Sequence, residues 1–585
     1  MKRGYVLAAA AILSFSLIFS FIRLFYGVET TDEAFWVAES YLTAQGALPI
    51  INEWSSCSTF TLLTAPLIYI YKTITGGTIG IILFMRLAFW LFKLMLLLVI
   101  ILLFRKKIPI YILIVSSSFF LLVDNGNGQS FSYTNLGVYF LVLQGCLLTV
   151  VFSLPEKTVV KKMYCLLGGA CSAFCAISYP PQAILSAVSV LTILVMDWRE
   201  NKSFFNSISF FTGVLIVAVL ACGYLIIKGD GIVSFINGIE TILFLNPYFS
   251  LKTNTATTIF NDLKKIWFVI TPQIVLGGMI LMIEGGYLYL CCKYMRERIK
   301  DYFTAFAIWP AYILYLIFSG YKYKGDIKEA FIVLCVPVLL LLGFIFKTNK
   351  KEKKFCKSLV YFIVINEIYW LIIAGLSTRD GIYGRVFALT GSVFVFMIIS
   401  YYSLDSLNIR SGVKSSLLIG TAIIITMSSF VALYSYVYRD APIFQLNSKV
   451  DNGIYKGLYT TEQRKNGVIE LQLILNDNLN PDDTVLFMET VPMAYLMTEA
   501  KPCTPSTWDI SQYTYGFNDD TLYQKYFEKI GGIPKKIVYI DQGRDECLSI
   551  DKEGYKFNVF VNENYNLIYR NDKMYFPIRI YEKTF

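Results

Sequence analysis

Residues 28–36 read VETTDEAFW and follow an apolar run, residues 5–26, that begins just after Lys2 and Arg3. A run of this length can cross a lipid bilayer, and the basic residues before it favour a cytoplasmic N-terminus. No small-residue cleavage site follows the run, so we expect it to be retained as a span. The sequence therefore predicts that the chain first reaches the outer face of the membrane beside two adjacent acids, Asp32 and Glu33.

The composition predicts a polytopic α-helical membrane protein. The chain has 585 residues, of which 56% are hydrophobic and 16% aromatic, and its mean hydropathy is +0.55. Its formal net charge is +10. In such a protein, basic residues mark cytoplasmic loops and lipid headgroup contacts, so we expect membrane lipids and no nucleic acid as partners. The absence of histidine excludes Ser-His and Cys-His nucleophiles and histidine-ligated zinc.

Apolar runs predict about thirteen spans in residues 1–436. An odd number of spans puts the C-terminal region outside, and the basic loops fit this count because they alternate, for example at residues 105–107 and 347–357. We expect a cell-membrane protein. The predicted spans are residues 5–26, 78–104, 109–123, 134–154, 163–178, 182–196, 206–227, 266–292, 302–319, 329–346, 358–376, 386–403 and 417–436.

The character of the sequence changes at about residue 437. Strand-prone runs at residues 484–487 and 536–540 lie between Pro, Gly and Asp turn signals, which predicts an extracytoplasmic α/β domain over residues 437–585. Cys503 and Cys547 fall in this domain, and whether they pair stays open at this point.

The first outer loop, residues 27–77, carries two predicted surface helices. Apolar residues recur at helical spacing between residues 33 and 42, so an amphipathic helix is expected along the membrane surface, with Asp32 at its N-terminus. Asp32 could cap that helix, act chemically beside the bilayer, or do both. A turn with Glu53 follows, and residues 59–71 predict a second interfacial helix.

This order resembles one known superfamily. The features, in order, are a span, an outer Asp-Glu, a surface helix, a Pro-containing turn with an acid, a second surface helix and a span carrying Arg86. This order of features is similar to that of the GT-C glycosyltransferases, particularly the protein O-mannosyltransferases and lipid A aminoarabinose transferases. The resemblance implies a polyprenyl-phosphate-linked sugar as donor and transfer of a hexosyl or pentosyl group with inversion. It also implies Asp32 as general base and Glu33 as a supporting or structural acid.

The remaining candidate residues would bind the two substrates. Glu53, Asp124 and Tyr133 are candidates for substrate binding, and Glu53 with Asp124 would suit a hard divalent ion such as Mg²⁺ or Mn²⁺ if one is used. A departing phosphate needs cations at the outer membrane boundary. The candidates for that role are Arg385, Lys252, Lys324 and Arg379.

The acceptor could be a lipid, a cell-wall glycan or a protein, and the long third outer loop, residues 228–265, is compatible with a flap over the donor. Two other functions fit the layout. A surface-polysaccharide polymerase or ligase would not depend on Asp32. A transporter or flippase would use charged residues at mid-membrane depth, for which Arg86, Lys93 and Glu284 are the candidates.

Overall fold

The computed structural model of the protein describes residues 2–55, 57–124, 128–153, 158–201, 204–245, 350–377, 387–406, 411–508, 521–541, 549–551 and 556–584. Within these ranges the chain is mostly helical up to residue 435 and mixed helix and strand beyond it. This division agrees with the change in character that the sequence has near residue 437.

The helices of the first 435 residues begin and end as follows. They are α1 Lys2–Arg23, α2 Asp32–Ala44, α3 Thr61–Thr75, α4 Ile81–Phe104, α5 Ile110–Ser118, α6 Tyr133–Ser153, α7 Thr158–Ser178, α8 Ala183–Asn201, α9 Phe205–Lys228, α10 Ile232–Leu245, α11 Lys350–Leu359, α12 Asn366–Leu376, α13 Thr390–Ser406 and α14 Ser411–Ser435. A π-helical turn, Val360–Ile365, joins α11 to α12 without a break.

Eight helices in the described part of the chain are long and apolar enough to cross a membrane. They correspond to α1, α4, α6, α7, α8, α9, the continuous α11–α12 and α14. The protein is therefore a multi-pass membrane protein. The count of about thirteen spans stays a prediction, because three of the predicted runs lie wholly in residues 246–349, outside the described residues.

The runs at residues 163–178 and 182–196 form two separate helices. A 3₁₀ turn, Pro180–Gln182, lies between α7 and α8. Neither proline can continue the backbone hydrogen bonding of α7, which ends at Ser178, because proline has no N–H.

The C-terminal part forms a five-stranded mixed sheet. Its strands are β3 Thr484–Met488, β4 Lys501–Pro502, β5 Lys536–Ile540, β6 Tyr565–Asn571 and β7 Ile578–Lys583, and a separate two-stranded ribbon contains β1 Ser448–Lys449 and β2 Tyr459–Thr460. The strand order is β4-β3-β5-β7-β6, with β4 and β5 parallel to β3 and with β7 antiparallel to both β5 and β6. The described helices here are α15 Glu462–Asn478, α16 Ala494–Met497, α17 Thr521–Ile530 and α18 Lys556–Asn564.

Helix α2 lies between the membrane helices and the C-terminal domain. We expected a surface helix with one polar face, but every residue from Glu33 to Leu42 is buried. The cover on the outer side comes from the C-terminal domain, where the Trp508 ring contacts the Phe35 ring edge-on at 5.3 Å. The loop that carries the acidic pair is thus held from both sides.

Candidate active site

The start of α2 is capped by Glu29. One Glu29 carboxylate oxygen accepts a hydrogen bond from the Thr31 N–H at 3.0 Å and another from the Thr31 hydroxyl, and the other oxygen accepts from the Glu33 N–H at 2.6 Å. The two backbone N–H groups are donors that a helix start leaves without intrahelical partners. Burial, and then the negative charge of Asp32, raise the pKa of Glu29 to about 6. The capping role considered for Asp32 therefore belongs to Glu29.

Glu33 forms a buried ion pair with Arg86 of α4. The Arg86 Nε and Nη2 atoms donate to the two Glu33 oxygens at 2.8 and 2.5 Å. The same guanidinium donates to the carbonyls of Leu24 and Gly27, both at 2.9 Å, and to that of Tyr26 at 3.1 Å. Both side chains are 2% exposed, so this contact fastens the first loop to α4. Such paired, hydrogen-bonded geometry is what a buried charge needs.

Asp32 is placed differently from its neighbour. It is the first residue of α2, and its Oδ2 atom accepts a hydrogen bond from the Tyr438 hydroxyl and lies 3.0 Å from Nη2 of Arg439. Its Oδ1 atom accepts no hydrogen bond from any described residue, and 24% of the side chain is exposed. One oxygen of this carboxylate is anchored and the other is available.

Arg439 connects Asp32 with the cap of α2. Its guanidinium lies 3.6 Å from Glu29 Oε1 and donates to the Thr31 hydroxyl, and its side chain is 29% exposed. It also stacks over the Tyr438 ring, 4.9 Å from the ring centroid. A cation and two carboxylates therefore meet just beyond the C-terminal end of the first span.

Glu53 is buried and contacts a second acid, Glu39 of α2. Each carboxyl has one buried oxygen, Oε2, without a hydrogen-bond partner among the described residues, and the two carboxyl groups lie close enough for the charge of Glu39 to act on Glu53. Two adjacent buried carboxylates repel each other, so protonation of one of them is favoured. Burial, and then the Glu39 charge, hold the pKa of Glu53 well above its usual range.

Asp124 forms a second buried ion pair. Its two oxygens lie 3.0 and 2.9 Å from Nζ of Lys93 in α4, and the Tyr139 hydroxyl lies 3.4 Å away. A narrow cavity beside this pair is lined in part by Arg23 and Gln129. The described residues contain no group of three or more His, Cys, Asp or Glu side chains arranged to hold a metal ion. The divalent ion suggested for Glu53 and Asp124 stays a prediction.

Tyr133 is the first residue of α6. Its ring stacks on the Tyr179 ring, with centroids 5.6 Å apart, and tilts against the Phe60 ring at 6.3 Å. It belongs to an aromatic cluster behind the first loop, and its role in substrate binding stays a prediction.

Several predicted residues fall outside the described ranges. They are Glu284, Cys547 and the four cations predicted to bind the donor phosphate, Arg385, Lys252, Lys324 and Arg379. Cys503 lies within the described ranges and carries a free, buried thiol.

Two residues of the site were not predicted from the sequence. Tyr438 and Arg439 are more than 400 positions from Asp32, and no motif joins them to it. The available signal was the Tyr-Arg-Asp triplet directly after the last apolar run, because polar groups at that position emerge on the same face as the first outer loop.

The chain was compared with known proteins. No family model matches it, and no curated protein matches it by sequence. Among solved structures, it is similar to apo ArnT from Cupriavidus metallidurans, with 10% identity, coverage of 99% of this chain and 98% of that one, and a TM-score of 0.40. It is also similar to an oligosaccharyltransferase from Archaeoglobus fulgidus, with 11% identity, 91% and 69% coverage, and a TM-score of 0.43.

A third similar structure is AglB from Archaeoglobus fulgidus, in complex with an inhibitory peptide and a dolichol-phosphate, with 10% identity, 98% and 74% coverage, and a TM-score of 0.41. At such identities and TM-scores these similarities assign no residue and no substrate, and the function of this chain is argued from its own site.

Proposed function

We propose that the protein is a membrane glycosyltransferase that moves a sugar from a polyprenyl-phosphate-linked donor to an acceptor hydroxyl on the outer face, with Asp32 as general base. The observation that carries the proposal is the contrast between Asp32 and the other acids of the first outer loop and of the second outer loop, which begins at Asp124. Those acids, Glu29, Glu33, Glu39, Glu53 and Asp124, are all buried. Asp32 alone among them combines exposure with an oxygen that accepts no hydrogen bond from the described residues.

The chemistry needs few groups. A sugar on a polyprenyl phosphate has an activated leaving group, so the enzyme must mainly remove a proton from the acceptor hydroxyl and stabilise the departing phosphate. The acceptor oxygen bonds to the anomeric carbon as the bond to the phosphate oxygen breaks, and the hydroxyl proton passes to Asp32 Oδ1. A single displacement inverts the anomeric centre and requires no carboxylate nucleophile.

The side of the membrane on which we infer the site to lie supports this reaction. The segment directly after α1, which ends at Arg23, contacts the C-terminal domain: the rings of Tyr26 and Tyr459 stack 5.4 Å apart and Arg464 donates to the Val28 carbonyl at 2.9 Å. Because α1 is a span, its N-terminus lies on the opposite face from that domain. With Lys2 and Arg3 at that end, the positive-inside rule puts the N-terminus in the cytoplasm and Asp32 outside.

The transporter alternative is not favoured by the contacts of the charged residues in α4. Arg86 is paired with Glu33 and Lys93 with Asp124, and all four side chains are at most 5% exposed. Charges that move ions or substrates are expected to face a water-filled path. These pairs instead connect α4 to the first and second loops.

The proposal is tested by following a labelled sugar. Purified protein in liposomes is supplied with a panel of hexosyl and pentosyl polyprenyl-phosphate donors and with cell-envelope acceptors extracted from the native membrane. We expect labelled product, with inverted anomeric configuration, from at least one donor. Movement of intact donor across the bilayer with no glycosidic product from any donor would contradict the proposal and favour a flippase.

A further inference from the structure

The four residues Val437–Asp440, which are separated by one residue from the end of α14 at Ser435, form a short segment that we call the strap. The Asp440 carboxylate accepts hydrogen bonds from the Val28 N–H at 2.8 Å and from the Thr460 hydroxyl at 2.7 Å. The strap is therefore bonded both to the first outer loop and to the two-stranded ribbon of the C-terminal domain. Its backbone cannot move without breaking contacts on both sides.

The first loop is shaped to receive the strap. Gly27 has a φ of +95°, and a Cβ atom at that position would lie 2.3 Å from Val437 Cγ1. A side chain there would both strain the backbone and push the strap away. Arg464 completes the contact, because it donates to the Val28 carbonyl at 2.9 Å and to the Arg439 carbonyl.

The strap brings two donors to one oxygen of Asp32. The Tyr438 hydroxyl and the Arg439 guanidinium both approach Oδ2, and neither of these contacts reaches Oδ1. Burial, and then the nearby charge of Asp32, raise the pKa of the Tyr438 hydroxyl. Tyr438 therefore keeps its proton and remains a donor throughout the ordinary pH range.

A carboxylate held at one oxygen has a fixed rotamer. A general base must lie within hydrogen-bond reach of the proton that it removes, and a small displacement is enough to lower the rate strongly. Asp32 is the first residue of α2, so its backbone direction is set by the Glu29 cap, and within the described part of the chain its side chain is held by the strap. The two constraints together determine where Oδ1 points.

We infer that Tyr438 is a positioning residue of the catalytic base: its hydroxyl holds Oδ2 of Asp32 so that Oδ1 faces the acceptor hydroxyl. The inference rests on the proposed glycosyl transfer and adds a group from the far end of the membrane domain to its site. Tyr438 itself exchanges no proton with the substrate. Its contribution is to orientation and to the stability of the ionised carboxylate.

The test compares Tyr438→Phe with Tyr434→Phe, a matched substitution four residues earlier whose ring stacks on Phe430. Each variant is assayed for kcat, for KM of the donor and for the pH dependence of kcat/KM. For Tyr438→Phe we expect kcat to fall by roughly ten- to a hundredfold with little change in KM, because one hydrogen bond to a charged group is lost. The acidic limb of its pH profile should move to higher pH, because the ionised carboxylate loses a donor.

A role in folding alone would lower the yield of active protein and leave the shape of the pH profile unchanged, since that shape does not depend on how much protein is folded. An unshifted profile with wild-type kcat per folded molecule would overturn the inference. Asp32→Asn, assayed in parallel, separates the two claims. If it abolishes transfer while Tyr438→Phe behaves as wild type, the positioning role fails and the proposed function stands; if Asp32→Asn leaves transfer intact, both fail.

Discussion

At the scale of single residues, the five acids of the first outer loop divide by environment and not by residue type. Glu29 caps α2, Glu33 pairs with Arg86, and Glu39 and Glu53 contact each other. Each of these carboxylates is buried. Asp32 is distinguished because its side chain is 24% exposed and one of its oxygens is also not engaged by the described residues.

The Glu39–Glu53 contact predicts a pH-dependent stability. Both pKa values are raised, chiefly by burial, so the folded protein binds protons that the unfolded chain releases. For a carboxyl group with a raised pKa, the stabilisation is present below the ordinary pKa and is lost as the pH rises through the folded-state value. We therefore expect this pair to lower the melting temperature of the detergent-solubilised protein as the pH is raised from about 4.5.

Glu53→Gln is the matched control for that prediction. Glutamine can donate to Glu39 without titrating, so the difference in melting temperature between the wild type and the variant should change with pH. Glu29, whose pKa is also raised, titrates in both proteins and cancels in the comparison. Melting curves that stay parallel at every pH would show that the two carboxyl groups share no proton.

At the scale of elements, α7 and α9 pack unusually closely because glycines lie at their contact. A Cβ atom at Gly169 would lie 2.0 Å from the Phe210 carbonyl oxygen, and one at Gly213 would lie 2.0 Å from that of Leu166. Small residues permit such backbone approach in membranes, where helix association depends on close packing more than on the hydrophobic effect.

We predict that Gly213→Ala destabilises the protein by roughly 1–3 kcal/mol, because the new methyl group meets backbone atoms that cannot rotate away. Gly223→Ala in the same helix is the control, since a Cβ atom there has nothing within 4 Å. Thermal unfolding in one detergent measures both variants. A melting temperature for Gly213→Ala no lower than that for Gly223→Ala would contradict the close packing of α7 and α9.

Much at this scale follows from the sequence. Strands β3 and β5 lie at the predicted runs because short apolar, β-branched stretches between turn residues have few other folds available. Helix α2 also lies where its apolar spacing predicts it. Its burial on all faces was not predictable. The spacing of its apolar residues predicts one buried face, and the opposite face is covered by the C-terminal domain, which is distant in the sequence.

At the scale of the whole molecule, the C-terminal domain and the first loop form one continuous contact. The Thr507 N–H and hydroxyl donate to Glu39 at 3.0 and 2.5 Å, the Trp54 N–H donates to the Pro505 carbonyl at 2.6 Å, and the Tyr455 hydroxyl donates to the Glu29 carbonyl at 2.8 Å. The domain thus lies beside Asp32, in a position to contact the acceptor of the proposed reaction.

Only part of the candidate site could be predicted from the sequence. Asp32 could be identified because its position is local: it follows the first span directly, where the sequence predicts the outer face. Tyr438 and Arg439 could not, because contacts between residues so far apart in the chain are set by how the helices pack, which one sequence does not record. The same holds for the Arg86 and Lys93 ion pairs, which look like unexplained charges in a span until the loops are in place.

The role of Asp32 as the base is tested by the rate of sugar transfer by Asp32→Asn, relative to Asp482→Asn, at matched amounts of folded protein. Asparagine keeps the shape and the acceptor for Tyr438 but is not a base, so we predict a loss of roughly a hundred- to ten-thousand-fold in kcat/KM. Asp482 is 97% exposed in its contact with Lys501, and its replacement should leave the rate unchanged. Transfer by Asp32→Asn at the rate of Asp482→Asn would contradict the assignment of Asp32 as the base.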